Sequence, residues 1–225
     1  WDFIYSFASI VISLSLGLML GNVALGLPLS EQHDFIGDWL SFFNPFSIMV
    51  AITTLALFML HGAIYLAMKT ENRLYTKMTL LAKSFTVFFV VALGLTTLYT
   101  LLYIPHLSDR IRSSSQYFIL PVIMFLAIAN IPRQLNKGKY FNAFISSAVT
   151  IASLLAMVAI EVFPYLLYAT NDARNSITVE NAASSLKTMK TLLLIAAIGA
   201  PLVAMYTGFV FWTFKGKVEL DESSY

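Results

Sequence analysis

The chain has 225 residues, of which 58% are hydrophobic and only 12% charged, with a net charge of +2. A soluble domain carries about a quarter charged residues, so this composition excludes one and implies a membrane protein. It contains no cysteine, which excludes disulfide frameworks, cysteine–zinc sites and iron–sulfur clusters.

A helix needs about 20 largely apolar residues to cross roughly 30 Å of hydrocarbon. Segments meeting or approaching this run from Ile4 to Leu25, Phe46 to Met68, Ser84 to Ile104, Tyr117 to Leu135, Phe141 to Tyr168 and Thr191 to Phe214. They predict an all-α membrane protein of six transmembrane helices in a single domain, residues 1–225.

The first segment places Ser9, Ser13, Gly17 and Gly21 on one stripe, a device by which helix backbones approach closely in lipid. After it, Ser30 is expected to cap a short interfacial helix. That helix carries Phe35, Ile36, Trp39, Leu40 and Phe43 on one face and Glu31, Asp34 and Asp38 on the other. Asn44 followed by Pro45 is an N-cap with proline at the first helical position, and it opens the second span. The fourth span is closed by Pro132 and Arg133, the latter snorkelling to the surface. Ala148, Ala152 and Ala156 form a short small-residue stripe on the fifth span, and Ala196, Ala200, Ala204 and Gly208 form a longer one on the sixth.

The cations are unevenly distributed. Lys69, Arg73, Lys77, Lys83, Arg133, Lys137, Lys139, Lys215 and Lys217 fall on one side of the spans, leaving Arg110, Arg112, Arg174, Lys187 and Lys190 on the other. The positive-inside tendency makes the richer side cytoplasmic and puts both ends of the chain there. The start at Trp1–Asp2, without a signal-peptide pattern, reads as the C-terminal part of a longer membrane protein.

Ile160 to Leu186 combines an acid, a proline and a long polar tract, Asn175 to Ser185. Glu161 is the only Asp, Glu, Lys or Arg within the apolar part of a span, and such residues default to a functional hypothesis. Structural pairing is the reading preferred over proton or ion handling. Pro164 would free the carbonyl of Ile160 and kink the helix. His61 shares a face with Tyr65 and Lys69. Its expected role is packing or hydrogen bonding rather than haem ligation, because His33 and His106 fall in outer connections. There is no phosphate loop, no metal-spaced carboxylate pair, no nucleophile with its base and no nucleic-acid patch.

Several landmarks occur in a recognisable order. They are Gly21–Asn22 with Gly26–Leu27–Pro28, Asn44–Pro45–Phe46, and His61 to Leu66 leading to Lys69–Thr70–Glu71. Phe163–Pro164, the Asn175 to Ser185 tract and the tail from Tyr206 to Val218 follow. As a set these resemble subunit II of the cytochrome bd-type quinol oxidases from Trp1 to Tyr225. The resemblance implies eight helices in two four-helix bundles, this chain supplying the last two of the first bundle and all of the second. It implies a bacterial or archaeal inner-membrane location. It also implies a haem-free chain, without catalytic residues of its own, paired with a subunit I that carries haems b and d and oxidises quinol while reducing dioxygen to water. The expected contacts are that subunit and the bilayer, with quinone or phospholipid as further ligands. The alternative readings are a secondary-transporter half or other polytopic scaffold, and a membrane cytochrome using His61.

Overall fold

The structure, a computed structural model, describes residues 1–104, 107, 115–214 and 216. His106, Arg110, Arg112, Lys215 and Lys217 lie outside the described residues. Among the described residues, six helices are long and apolar enough to cross a membrane. They are α1 (Asp2–Leu25), α2 (Pro45–Lys69), α3 (Asn72–Tyr103), α4 (Ile119–Asn136), α5 (Tyr140–Val162) and α6 (Leu186–Thr213).

Local chemistry sets most of the boundaries. α1 stops at Gly26, whose φ of 92° suits a residue without Cβ and whose N–H donates to the Asn22 carbonyl at 2.9 Å. The Ser47 N–H donates to Asn44 Oδ1 at 2.8 Å with Pro45 in the first turn, as the sequence motif predicts. Gly138, at φ 67°, turns α4 into α5.

Three expectations are corrected. The third span was predicted from Ser84, but α3 begins at Asn72, so α2 and α3 are separated only by Thr70 and Glu71. Asn72 enters with φ 54°, a left-handed conformation that asparagine tolerates, and the Leu, Met, Lys and Ala that follow are good helix formers. The fifth span was predicted to reach Tyr168, but α5 ends at Val162. Phe163 precedes a proline, which disfavours helical backbone; it takes ψ 139°. Pro164 therefore terminates the helix instead of kinking it, and the chain continues as a small antiparallel pair, β1 (Tyr165–Leu167) with β2 (Ile177–Thr178). Finally, Ser30 caps no helix. Its Oγ accepts from the N–H groups of Gln32 and Asp34 in a tight turn, Leu29 bridges Phe35, and only Trp39–Phe43 forms a 3-10 turn.

The core is centred on α2, which packs most extensively against α1 and α3 and also meets α5; α4 and α5 form a second closely packed hairpin. Leu57, Leu60 and Ile64 of α2 cluster with Phe89 of α3, Met124, Ile128, Ile131 and Leu135 of α4, and Ala143 of α5. Gly17 and Gly21 of α1 let it lie directly on α2. A Cβ at Gly17 would stand 2.6 Å from Ala51 Cα, and one at Gly21 would stand 2.7 Å from Ser47 Cα. Ser9 and Ser13 of the same stripe lie outside this contact, and their hydroxyls donate to carbonyls one turn back on their own helix.

α6 is different. None of its residues is buried, it makes no extended packing with another element among the described residues, and Ala196, Ala200, Ala204 and Gly208 are all exposed. Its anchorage is at the C-terminal end, where Lys69 Nζ donates to the carbonyls of Phe214 and Gly216 at 3.0 and 3.1 Å. A cation there complements the partial negative charge of a helix C-terminus.

Candidate functional site

Polar side chains inside a membrane bundle must find partners, because hydrocarbon offers none. Here they collect in two places, one between α2, α4 and α5 and one at the end of the bundle where α1 and α5 finish.

The first is a hydrogen-bonded seam. His61 Nδ1 lies 2.7 Å from Ser147 Oγ, and its ring stacks on Phe144 at 4.5 Å. The single Ser147 hydroxyl proton goes to the Phe144 carbonyl at 2.8 Å, so Nδ1–H is the donor in the histidine contact and Nε2 is left as an acceptor. One turn away, Gln134 Nε2 donates to Asn130 Oδ1 at 3.0 Å and Asn130 Nδ2 to Ser146 Oγ at 2.9 Å. The Ser146 and Thr150 hydroxyls donate in turn to the Asn142 and Ser146 carbonyls. On the other side of α2, Thr53 and Thr96 hydroxyls meet at 2.8 Å. The seam ties α5 to α2 and α4 by polar contacts within an otherwise apolar packing, which is how lipid-embedded helices fix their register.

The second joins two connections far apart in sequence. Asn171 pairs with the Leu29 backbone through both amide groups: the Leu29 N–H donates to Asn171 Oδ1 and Asn171 Nδ2 donates to the Leu29 carbonyl, each at 2.9 Å. Asn175 Nδ2 donates to the same carbonyl at 3.0 Å, and His33 Nδ1 donates to the Asn175 carbonyl at 2.9 Å. Main-chain bonds between Leu27 and both Tyr168 and Thr170 continue the junction. Beneath it, Asn22 Nδ2 donates to the Phe42 carbonyl and Asn44 Nδ2 donates to Asn22 Oδ1. Residues 168–175 therefore form a clamp on the connection between α1 and α2. At its exposed edge Arg174 forms a 2.7 Å ion pair with Asp172 and holds that carboxyl below the usual carboxylate range.

Glu161 occupies the last turn of α5, half-buried. His61 and Glu161 are not brought together into one site. Among the described residues, no group of three or more His, Cys, Asp or Glu side chains is arranged to hold a metal ion. The seam residues Asn130, Gln134, Ser146 and Ser147 and the clamp residue Asn171 are not singled out by the sequence, and Asn22 and Asn175 stand there only in the landmarks and the polar tract. Amides inside or at the ends of apolar spans were the available signal.

Comparison with known proteins gives one consistent result. Residues 1–214 match the family model described as cytochrome bd terminal oxidase subunit II. The cytochrome bd-I ubiquinol oxidase subunit 2 of Escherichia coli strain K12 is 20% identical over 252 residues, covering 99% of this chain and 66% of that protein. The cytochrome bd ubiquinol oxidase subunit 2 of Bacillus subtilis strain 168 is 22% identical over 223 residues, covering 99% of this chain and 65% of that protein. A chain in the structure of the bd oxidase from Geobacillus thermodenitrificans shares the fold with a TM-score of 0.72 at 19% identity, covering 94% of this chain and 64% of that one. The chain thus spans just under two thirds of the length of these relatives.

Proposed function

The chain belongs to the cytochrome bd terminal oxidase subunit II family, and from that premise we propose that it is the haem-free second subunit of a bacterial quinol:dioxygen oxidoreductase in the inner membrane. Its work in this reading is structural. It pairs with a subunit I that carries haems b and d and the quinol site, and it supports electron transfer from quinol to dioxygen without contributing a catalytic residue. Both ends of the chain face the cytoplasm, as the distribution of lysine and arginine favours.

The observation that carries the pairing is the bare sixth helix. α6 offers 28 residues of apolar helix with no buried position, and its small-residue stripe is exposed among the described residues. In the two-bundle arrangement we infer for the complete subunit, α1 and α2 complete one four-helix bundle and α3 to α6 form the second. α6 is the helix that must still close against its neighbours or against subunit I.

The reading gives His61 a packing and hydrogen-bonding role rather than haem ligation. His61 is the one histidine in a described span, its Nδ1 is committed to Ser147, and its ring is stacked on Phe144.

Purification of the full-length subunit from its native membrane tests the reading. The expected result is co-purification with a larger haem-bearing chain and oxygen uptake driven by quinol. A stoichiometric haem band on the subunit alone would overturn the haem-free assignment. Solute uptake by the reconstituted subunit, with no haem partner, would favour a transporter instead.

A further inference from the structure

Where the connection between α2 and α3 meets the turn between α4 and α5, an open cleft of about 630 Å³ is lined by Ala67, Met68, Tyr75, Gly138, Lys139, Tyr140, Phe141 and Asn142. Its walls are of two kinds. Ala67, Met68 and Phe141 are apolar, and Phe141 is 63% exposed. Tyr75 and Tyr140 meet edge to face at 5.5 Å with their hydroxyls 2.8 Å apart, and Lys139 and Asn142 add a cation and an amide. The occupant that matches such a lining is amphipathic, with a polar group able to accept hydrogen bonds beside an apolar tail.

Charge selects the sign of the polar group. Within two residues of the lining stand Lys69, Arg73, Lys77 and Lys137 in addition to Lys139 itself, and the nearest acid in sequence is Glu71, three residues from Met68. Lys69 is engaged with the end of α6. Arg73, Lys77, Lys137 and Lys139 are all exposed, and the ion pair between Arg174 and Asp172 belongs to the other end of the bundle. Basic pockets between membrane helices on the cytoplasmic side hold anionic lipid headgroups, and juxtamembrane cations favour such lipids generally.

We propose that this cleft binds one anionic phospholipid, its phosphodiester held by Lys139 and the tyrosine pair and the start of an acyl chain lying on Met68 and Phe141. Occupancy would add a second link between the α2–α3 junction and the α4–α5 turn, beside the Tyr75–Tyr140 hydroxyl contact. The inference rests on the membrane-spanning and sidedness part of the proposed function, and it is independent of whether a haem-bearing partner exists.

The test is native mass spectrometry of the purified complex, delipidated in detergent and then titrated with phosphatidylglycerol, with phosphatidylcholine, or with inorganic phosphate. One phosphatidylglycerol per subunit is expected to be retained in preference to phosphatidylcholine. Lys139→Ala should weaken retention about fivefold, the worth of one juxtamembrane cation. Lys139→Glu should weaken it further and Lys139→Arg should preserve it, while Lys190→Ala at the other end of the bundle should leave it unchanged. Correct assembly of the Arg variant keeps the series interpretable if the Ala variant folds poorly. Equal retention of phosphatidylcholine, indifference to Lys139→Glu, or displacement of the lipid by millimolar inorganic phosphate would each overturn the proposal. Because retention is read on this subunit's own mass, a missing haem partner would sink the oxidase reading without affecting this result.

Discussion

α2 and α6 are equally apolar, each with a mean hydropathy of 2.0 over its best window, yet 44% of that window is buried within the chain for α2 and none for α6. Each is associated with a small-residue stripe: the one on α1 meets α2, and the one on α6 is exposed among the described residues. Hydropathy thus identifies a segment that leaves water, because lipid and protein interior are equally apolar solvents for it. It carries no information on which of the two receives the segment.

Substituting glycine in the two stripes gives the sharpest contrast. Gly21→Ala puts a methyl group 2.7 Å from the α2 backbone and should destabilise the α1–α2 pair by about 1–3 kcal/mol, the usual cost of overpacking. Gly208→Ala meets open space and should leave the thermal midpoint of the detergent-solubilised subunit unchanged. Equal effects would mean that α6 is as tightly packed as α1 and that the contrast drawn here is wrong.

Removing the clamp comes next. Asn171→Ala leaves the Leu29 N–H without its partner in a residue that is 2% exposed, and leaving such a group unpaired costs about 1–3 kcal/mol. Hydrogen exchange should accelerate at Leu29 and across residues 163–185 while the α2–α3 core stays protected. Faster exchange throughout would show that the clamp and core unfold together.

The seam should be less sensitive. Ser147→Ala removes the acceptor for His61 Nδ1, and a hydrogen bond between membrane helices averages about 0.6 kcal/mol. A double-mutant cycle with His61→Phe measures the coupling, and a value indistinguishable from zero would reduce the contact to packing against Phe144.

The smallest effect belongs to the exposed ion pair. Asp172 has a folded pKa lowered by the Arg174 hydrogen bonds, so its contribution is complete above the ordinary carboxylate range and is lost as pH falls through the lowered folded value. The difference in stability between the wild type and Asp172→Asn should therefore shrink on acidification and vanish once the carboxyl is protonated. A difference that grows at low pH would contradict the assigned partner.

The sequence by itself determined the number of spans, the Asn44–Pro45 start of α2, the Gly26 stop of α1 and the family. Each depends on composition, on chemistry within about one helical turn, or on landmarks in linear order. It misplaced the ends of α3 and α5 where a propensity for continued helix and a following proline overrode the limits of apolar sequence. It directed attention to Glu161 and His61 as isolated ionisable groups. Pro164 ends α5 and so puts Glu161 in a final helical turn, whereas the tertiary structure alone decided that His61 belongs to Ser147. It also joined Asn171 to Leu29 across 142 residues and buried α2 while leaving α6 bare. Those outcomes are pairings between distant segments. A polar group in lipid takes whichever partner folding brings within 3 Å or so, and nothing local to either residue names that partner.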